Sequence, residues 1–546
     1  MREPTSQGRD VGHPLMADAA MDSGIAKCRL ARVLAVVFVL LTAALALTWS
    51  HNKLMSQDEM YAFQTASVPT VAELVRVQRT EPISLDPPLY PLLSHAGMKA
   101  FGECAFALRL PALLGFLLMQ VCLFFFVRRL VGERAGAVAA AFPALTATLY
   151  YSAEGRPYGL MLGLYALALL SWQVATREAG NREQGTGSRR REWALVVLAL
   201  AIALTINAHY FGVLLLVPVC AAEGFRSMQR RRTDWPVMAA IYVGMAGFAA
   251  TMPFLKAAGE FRKNYYNSGW LGLHDITRAY RSIFVNYTQM SMSAQHVWMV
   301  ALVAFAAALA WGCARQIVGR GRETRIPAAE WVLMLVLAAL PFCGYLLARY
   351  VTHSIEVRYV LGAVVAISAM LAVSISPWLR RDGVFAAVMV VLGVAIVGTG
   401  AARIHAEQRK TAQRLASLVL PAEVKAALDA NPDGRLYVQD MGAFEEDRFY
   451  EPDADVRARM TLVYSRAEEL RWRRHDTMAL TAMHIGRFTG LPVVSYEELR
   501  ARSGEHLFVL YHTGWDWTDQ AFAADGAKVR SVGHAMGGDV AAVGFR

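Results

Sequence analysis

The sequence predicts an α-helical polytopic membrane protein that ends in a small soluble α/β domain, and three observations carry this. Hydrophobic residues make up 55% of the 546 and charged residues only 18%, with a mean hydropathy of +0.31. That is more apolar content than a soluble core absorbs. Apolar runs long enough to cross a bilayer recur up to residue 402. Beyond them, charged helix-like stretches alternate with short apolar strands such as Leu436-Tyr437-Val438 and residues 507–511.

About 20 mostly apolar residues span the hydrocarbon core, and by that measure about eleven transmembrane helices are expected. The first covers residues 33–49, and the others centre near Leu118, Ala141, Leu164, Leu200, Leu215, Val243, Ala304, Val336, Ala366 and Val391. Residues 44–46, Ala-Leu-Ala, have the small-residue form of a signal-peptidase site, but the polar region before that run is long for a signal peptide.

The net charge of +11 comes largely from arginines clustered between apolar runs. That is a topology signal and not a nucleic-acid footprint, because basic short loops resist translocation. Arg29 and Arg32, Arg128 and Arg129, Arg189 to Arg191, Arg230 to Arg232, Arg320, Arg322 and Arg325, and Arg380 and Arg381 mark the cytoplasmic side. The chain then divides into a cytoplasmic segment 1–32, a membrane domain 33–402 with a first outward loop 50–109, and a periplasmic α/β domain 403–546. Arginine far outnumbering lysine, with abundant Ala and Gly, suggests a bacterial source and hence the inner membrane. The six cysteines show no CxxC spacing and read as small buried hydrophobes. The sequon at Asn286-Tyr287-Thr288 is expected to be incidental.

Candidate chemistry gathers on the outward side. The first loop reads Ser56-Gln57-Asp58-Glu59-Met60-Tyr61, with two adjacent carboxylates, and continues with Asp86-Pro87-Pro88-Leu89-Tyr90. The chain returns to the membrane through Ala107-Leu108-Arg109-Leu110-Pro111. A turn between apolar helices carries Glu154-Gly155-Arg156-Pro157-Tyr158, where an acid and an arginine near hydrocarbon must pair or face water. Two further outward turns hold His209-Tyr210 and Glu356-Val357-Arg358-Tyr359. A His or Tyr at such a position also suits an interfacial aromatic belt.

In this order and on this side, these motifs resemble the GT-C superfamily of membrane glycosyltransferases, more narrowly the bacterial relatives of protein O-mannosyltransferases and lipid A aminoarabinose transferases. The resemblance spans roughly residues 30–370. It implies a GT-C fold and an inverting transfer of a sugar from a polyprenyl-phosphate donor to an acceptor hydroxyl at the outer membrane face, the acceptor being a glycan, lipid or protein. By match to the family's loop motif, Asp58 is the expected general base, with Glu59 and Glu154 as orienting or metal-binding acids. Arg156 and Arg358 are expected to meet the departing phosphate, with His209, Tyr210 and Tyr359 lining the substrate site. A divalent cation is a candidate cofactor. Where many relatives carry His before the Pro-Pro pair, this chain has Asp86.

Chemistry accords with these roles. Phosphate is already a good leaving group, so a single positioned base suffices where glycosidases need two carboxylates. Arginine presents a planar fork to phosphate oxygens whose charge grows in the transition state. Two other classes remain open: a transporter or flippase of an envelope lipid or solute, and a non-catalytic assembly protein. Against the first stand the absence of paired halves and the placement of the acids on outward turns instead of mid-span.

Overall fold

The structure is a computed structural model that describes residues 14–182, 188–262, 272–284, 292–318, 326–353, 355–502, 504–512 and 517–545. The expected basic cluster at Arg320, Arg322 and Arg325 and the sequon at Asn286 lie outside the described residues.

The chain is a polytopic, mostly helical membrane protein. Among the described residues, seven helices are long and apolar enough to cross a bilayer: Cys28–Asn52, Ala105–Val131, Tyr158–Arg177, Arg189–Ala208, Tyr210–Arg230, Trp235–Gly259 and Asp382–Leu418. An eighth is a broken pair, Ala328–Ala338 and Leu340–Thr352, bent by 54°. The bend falls where Pro341 removes a backbone donor and crowds the preceding turn. Among the described residues, the structure thus shows seven or eight of the eleven expected spans. The segments near Ala304 and Ala366 form shorter apolar helices, Met299–Arg315 and Ala363–Ile375. The one near Ala141 is a nine-residue helix, Glu133–Ala141, that tightens at once into a 3-10 turn containing Pro143.

One end of the bundle is tied by ion pairs between the clustered arginines and a few acids. Arg32 and Arg128 both reach Glu133, Arg134 reaches Asp382, Arg177 reaches Glu330, and Arg191 and Arg226 share Asp234. The opposite end carries α1 (Gln57–Ala66), α2 (Val71–Thr80) and α3 (Leu89–Phe101), all within the first loop.

The C-terminal part builds a six-stranded sheet from β1 (Leu436–Val438), β2 (Met460–Tyr464), β3 (Val493–Ser495), β4 (Gly504–Leu510), β5 (Lys528–Ala535) and β6 (Gly538–Phe545). The order is β3-β2-β1-β4-β6-β5, parallel through β4, with β6 and β5 antiparallel. Alternating side chains feed two cores, as the period of a strand requires. Leu436, Val438, Leu507 and Val509 point into one core, and Tyr437, Phe508 and Leu510 into the other. The first of these cores is shared with Val68, Leu74, Val77 and Ile83 of the first loop. The sheet region is thereby packed against the loop that carries Asp58. The helix Asp382–Leu418 runs without a break from the apolar bundle into this region, passing through the expected boundary at 402.

Candidate active site at the loop end of the bundle

The Ser56-Gln57-Asp58-Glu59 string starts α1, and its two acids part company there. Serine followed three residues later by glutamate is the capping-box spacing, and the Glu59 carboxylate accepts the Ser56 N–H at 2.9 Å. Glu59 is 0% exposed. Its Oε1 also accepts from Arg109 Nε at 2.7 Å and from the Gly155 N–H at 2.5 Å, and its Oε2 from Lys53 Nζ at 2.8 Å. Arg109 Nη2 also donates to Glu59 Oε2 at 3.0 Å, and its other donors meet the carbonyls of Ser50, Lys53 and Leu54. Burial opposes the charge on Glu59, but Lys53 and Arg109 outweigh it and hold the carboxyl far below the ordinary range. Both oxygens of the Glu59 carboxylate are thus committed to fastening the loop.

One residue earlier in the helix, Asp58 faces a cavity of about 720 Å³. Its Oδ2 lies 2.7 Å from Arg358 Nη1, and the carboxylate remains about a third exposed. Burial would raise its pKa, yet Arg156 and Arg358 together draw it below the ordinary carboxylate value. Arg156 reaches the Asp58 carbonyl at 3.3 Å and pairs with Asp86 at 3.0 Å. Asp86 is buried and accepts from Ser84 Oγ at 3.0 Å. Burial raises its pKa in spite of Arg156.

The turn that carries Glu154 and Arg156 owes its position to Gly155. A Cβ there would fall 2.5 Å from Leu108 Cδ2, so only glycine lets the N–H reach Glu59. Glu154 then projects into the cavity, accepting from Tyr150 Oη at 3.2 Å and Ser56 Oγ at 3.4 Å. Burial raises its pKa; Lys53 opposes the shift, while Glu59 and Asp58 add to it.

His209, buried by the rings of Tyr158 and Tyr359 at 5.4 and 4.9 Å, uses Nδ1 to accept the Phe211 N–H at 3.2 Å. Burial, helped by Arg156 and Arg358, lowers its pKa to about 3, so it is a neutral ring at physiological pH. Tyr359 stacks on Phe211 at 4.4 Å.

Asp58, Glu154, Arg156, His209, Tyr210, Arg358 and Tyr359 thus line one cavity, although they come from four separate turns. Sequence reasoning left Asp86 without a role, although the next residues are a Pro-Pro pair that fixes the loop path. It also missed the opposite wall, which the sheet region supplies through Gln439, Asp440, Glu469, Thr477, Met478 and Thr481. Met478 Sδ meets Gln57 Nε2 at 3.6 Å and Tyr61 Oη at 3.4 Å, joining the two walls. Among the described residues, no three His, Cys, Asp or Glu side chains are arranged to hold a metal ion. Asp58 and Asp86 face guanidinium groups instead.

Residues 86–255, from Asp86 through the Glu154-to-Tyr158 turn and His209, match the family model described as dolichyl-phosphate-mannose-protein mannosyltransferase. The matched stretch is less than half of the chain. Among solved structures, it aligns with ArnT from Cupriavidus metallidurans bound to undecaprenyl phosphate. That alignment has 14% identity over 93% of this chain and 97% of that one, with a TM-score of 0.44. It also aligns with the Archaeoglobus fulgidus oligosaccharyltransferase at 11% identity over 79% and 64%, TM-score 0.47. The Saccharomyces cerevisiae Pmt1-Pmt2 complex bound to the sugar donor aligns at 14% identity over 49% and 39%, TM-score 0.30. Sequence comparison with curated proteins finds no match.

Proposed function

We propose that the protein is an inverting glycosyltransferase that takes a sugar from a polyprenyl-phosphate donor and passes it to an acceptor hydroxyl at the outer face of a bacterial inner membrane. The observation that carries this reading is the convergence of one ionised, accessible carboxylate, Asp58, with two arginines, Arg156 and Arg358, in a single cavity at the loop end of the bundle. A lipid-borne donor suits a site at the margin of an apolar helical bundle, opposite the end where the basic loops gather.

In the transfer, the acceptor hydroxyl attacks the anomeric carbon and gives its proton to the Asp58 carboxylate. The new carbon–oxygen bond forms as the bond from the anomeric carbon to the phosphate oxygen breaks. The electron pair leaves on the phosphate, whose growing charge is met by Arg156 and Arg358. One displacement inverts the configuration and leaves no sugar on the protein. The neutral His209 ring and Tyr359 form an aromatic floor suited to the face of a sugar ring. The wall formed by Gln439, Glu469 and Thr477 presents polar side chains to the acceptor, with no basic group among them.

The test is mass spectrometry of envelope lipids, glycans and proteins from cells that carry the wild type, no protein, or Asp58→Asn. The reading requires at least one species that is heavier by a sugar residue with the wild type only. If the three profiles coincide, it fails.

A further inference from the structure

Both arginines of the cavity are already bound to carboxylates of the same chain. Arg358 Nη1 meets Asp58 Oδ2 at 2.7 Å, and Arg156 meets Asp86 through Nη1 at 3.0 Å and Nη2 at 3.4 Å. The second contact is two-pronged, the geometry in which a guanidinium also grips a phosphate. The Nε–H groups of both arginines are buried without a hydrogen-bond partner among the described residues. Each guanidinium carbon lies about 6 Å from the Tyr158 ring centroid, 6.0 Å for Arg156 and 5.9 Å for Arg358. Both forks therefore lie close to one ring, and each keeps an unpartnered N–H.

We infer that Asp58 and Asp86 are internal occupants of the donor-phosphate site, and that the lipid phosphate binds by displacing them from Arg358 and Arg156. This rests on the functional reading above and adds an order of events to it. A phosphate and a carboxylate offer the same guanidinium the same planar pair of acceptors, so they compete. When Arg358 turns to the phosphate, Asp58 loses the cation that stabilises its charge and becomes a better proton acceptor. The base is thus strengthened only when the leaving group is in place, which limits idle proton uptake before donor binds. Asp86 touches no reacting atom in this scheme. It is a positioning residue that holds Arg156 at the cavity wall until phosphate takes over, and Ser84 in turn holds Asp86.

The distinguishing measurement is the dissociation constant of undecaprenyl phosphate for the purified full-length protein in detergent, for wild type, Asp58→Asn, Asp86→Asn, Arg156→Ala, Arg358→Ala and Asp440→Asn. Removing an internal competitor should tighten binding, so Asp58→Asn and Asp86→Asn should each bind the lipid about three- to tenfold more tightly than wild type. A merely structural role for Asp86 predicts weaker binding or none. Asp440→Asn removes a negative charge from the opposite wall and keeps a residue suited to its N-cap position. It should leave affinity within about twofold of wild type. Should Asp86→Asn fail to fold, Asp58→Asn makes the same test at the more exposed pair. If the arginine variants lose binding while the two asparagine variants gain nothing, displacement is wrong and the functional reading stands. If Asp440→Asn tightens binding as much as they do, the cavity's overall field is responsible, and displacement is again wrong. If the arginine variants bind like wild type, the phosphate site itself is misplaced and both readings fall.

Discussion

Arg358 Nη1 lies 2.7 Å from Asp58 Oδ2, although 300 positions separate the two residues in the chain. The pair joins the first loop to the 3-10 turn Val357–Val360 across the cavity lining. Its two members have opposite tasks in the proposed transfer, so their removal should be separable by assay. Asp58→Asn keeps the shape but not the proton acceptor, and sugar transfer is expected to fall about a hundredfold or more. Donor-lipid binding should survive. Transfer at the wild-type rate in this variant would remove Asp58 from the base role.

The neighbouring acid should behave differently, because Glu59 is 0% exposed and braced by Lys53 and Arg109. Taking away one partner of a buried pair strands the other, at about 3–5 kcal/mol. Glu59→Gln and Arg109→Ala should each lower the midpoint of thermal unfolding in detergent. The double variant should fall little further, as residues acting as one unit do. Additive losses would mean that the two residues stabilise independently.

Acid should erase that difference. The folded state holds the Glu59 carboxyl well below its ordinary value, so the pair's contribution to stability is fully present above the unfolded glutamate pKa of about 4.3. It is lost as pH falls from there toward the folded value. The gap in unfolding midpoint between wild type and Glu59→Gln is therefore expected to be constant from about pH 6 to 7.5 and to narrow below about pH 4. A gap that widens on acidification would reverse the sign of the argument.

The outward turns were legible in the sequence because each of them joins polar groups to the end of an apolar run, a costly arrangement unless water or a partner meets it. Asp58, Glu154, Arg156, His209 and Arg358 stand in one cavity for that reason. The bracing of Glu59 was only partly legible: Ser56 three residues before it spells a capping box, but nothing local announces Lys53 and Arg109 as its partners. The expected span near Ala141 is cut short where Pro143 follows, a break that hydropathy windows do not register. β1 and β4 were visible as apolar runs in the sheet centre, whereas the exposed edge strand β5, with Lys528, Arg530 and His534, carries no such signal. The wall from Gln439 to Thr481 was invisible, since nothing local in that stretch states what it will pack against.

Topology gives a further expectation. The ion-paired end of the bundle holds the basic clusters, and the cavity lies at the other, so a reporter after Arg546 should be active only outside the cytoplasm. One inserted at Ser188 should be active only inside. Cytoplasmic activity at the carboxyl end would put the sheet region on the side away from the proposed donor site.

The sheet region should also prove necessary for the integrity of the first loop, and Ile83 offers the sharpest way to ask. Ile83 is 2% exposed and lies in the apolar core shared with Leu74, Val77, Leu436 and Val540. Polar contacts surround that core: the Met55 N–H donates to Tyr450 Oη at 2.9 Å, and His484 Nδ1 lies 2.9 Å from the Pro82 carbonyl. Ile83→Asp would bury a carboxylate among these apolar side chains, at about 3 kcal/mol or more. The bundle's own core, built from other residues such as Phe116, Met161 and Leu198, is untouched by the change. Membrane insertion should therefore persist while the sheet region detaches, and limited proteolysis should cut between residue 418 and β1 faster than in wild type. Transfer should fall with it, because one wall of the cavity is lost. Proteolysis at the wild-type rate together with unchanged transfer would show that the loop and the sheet do not depend on each other.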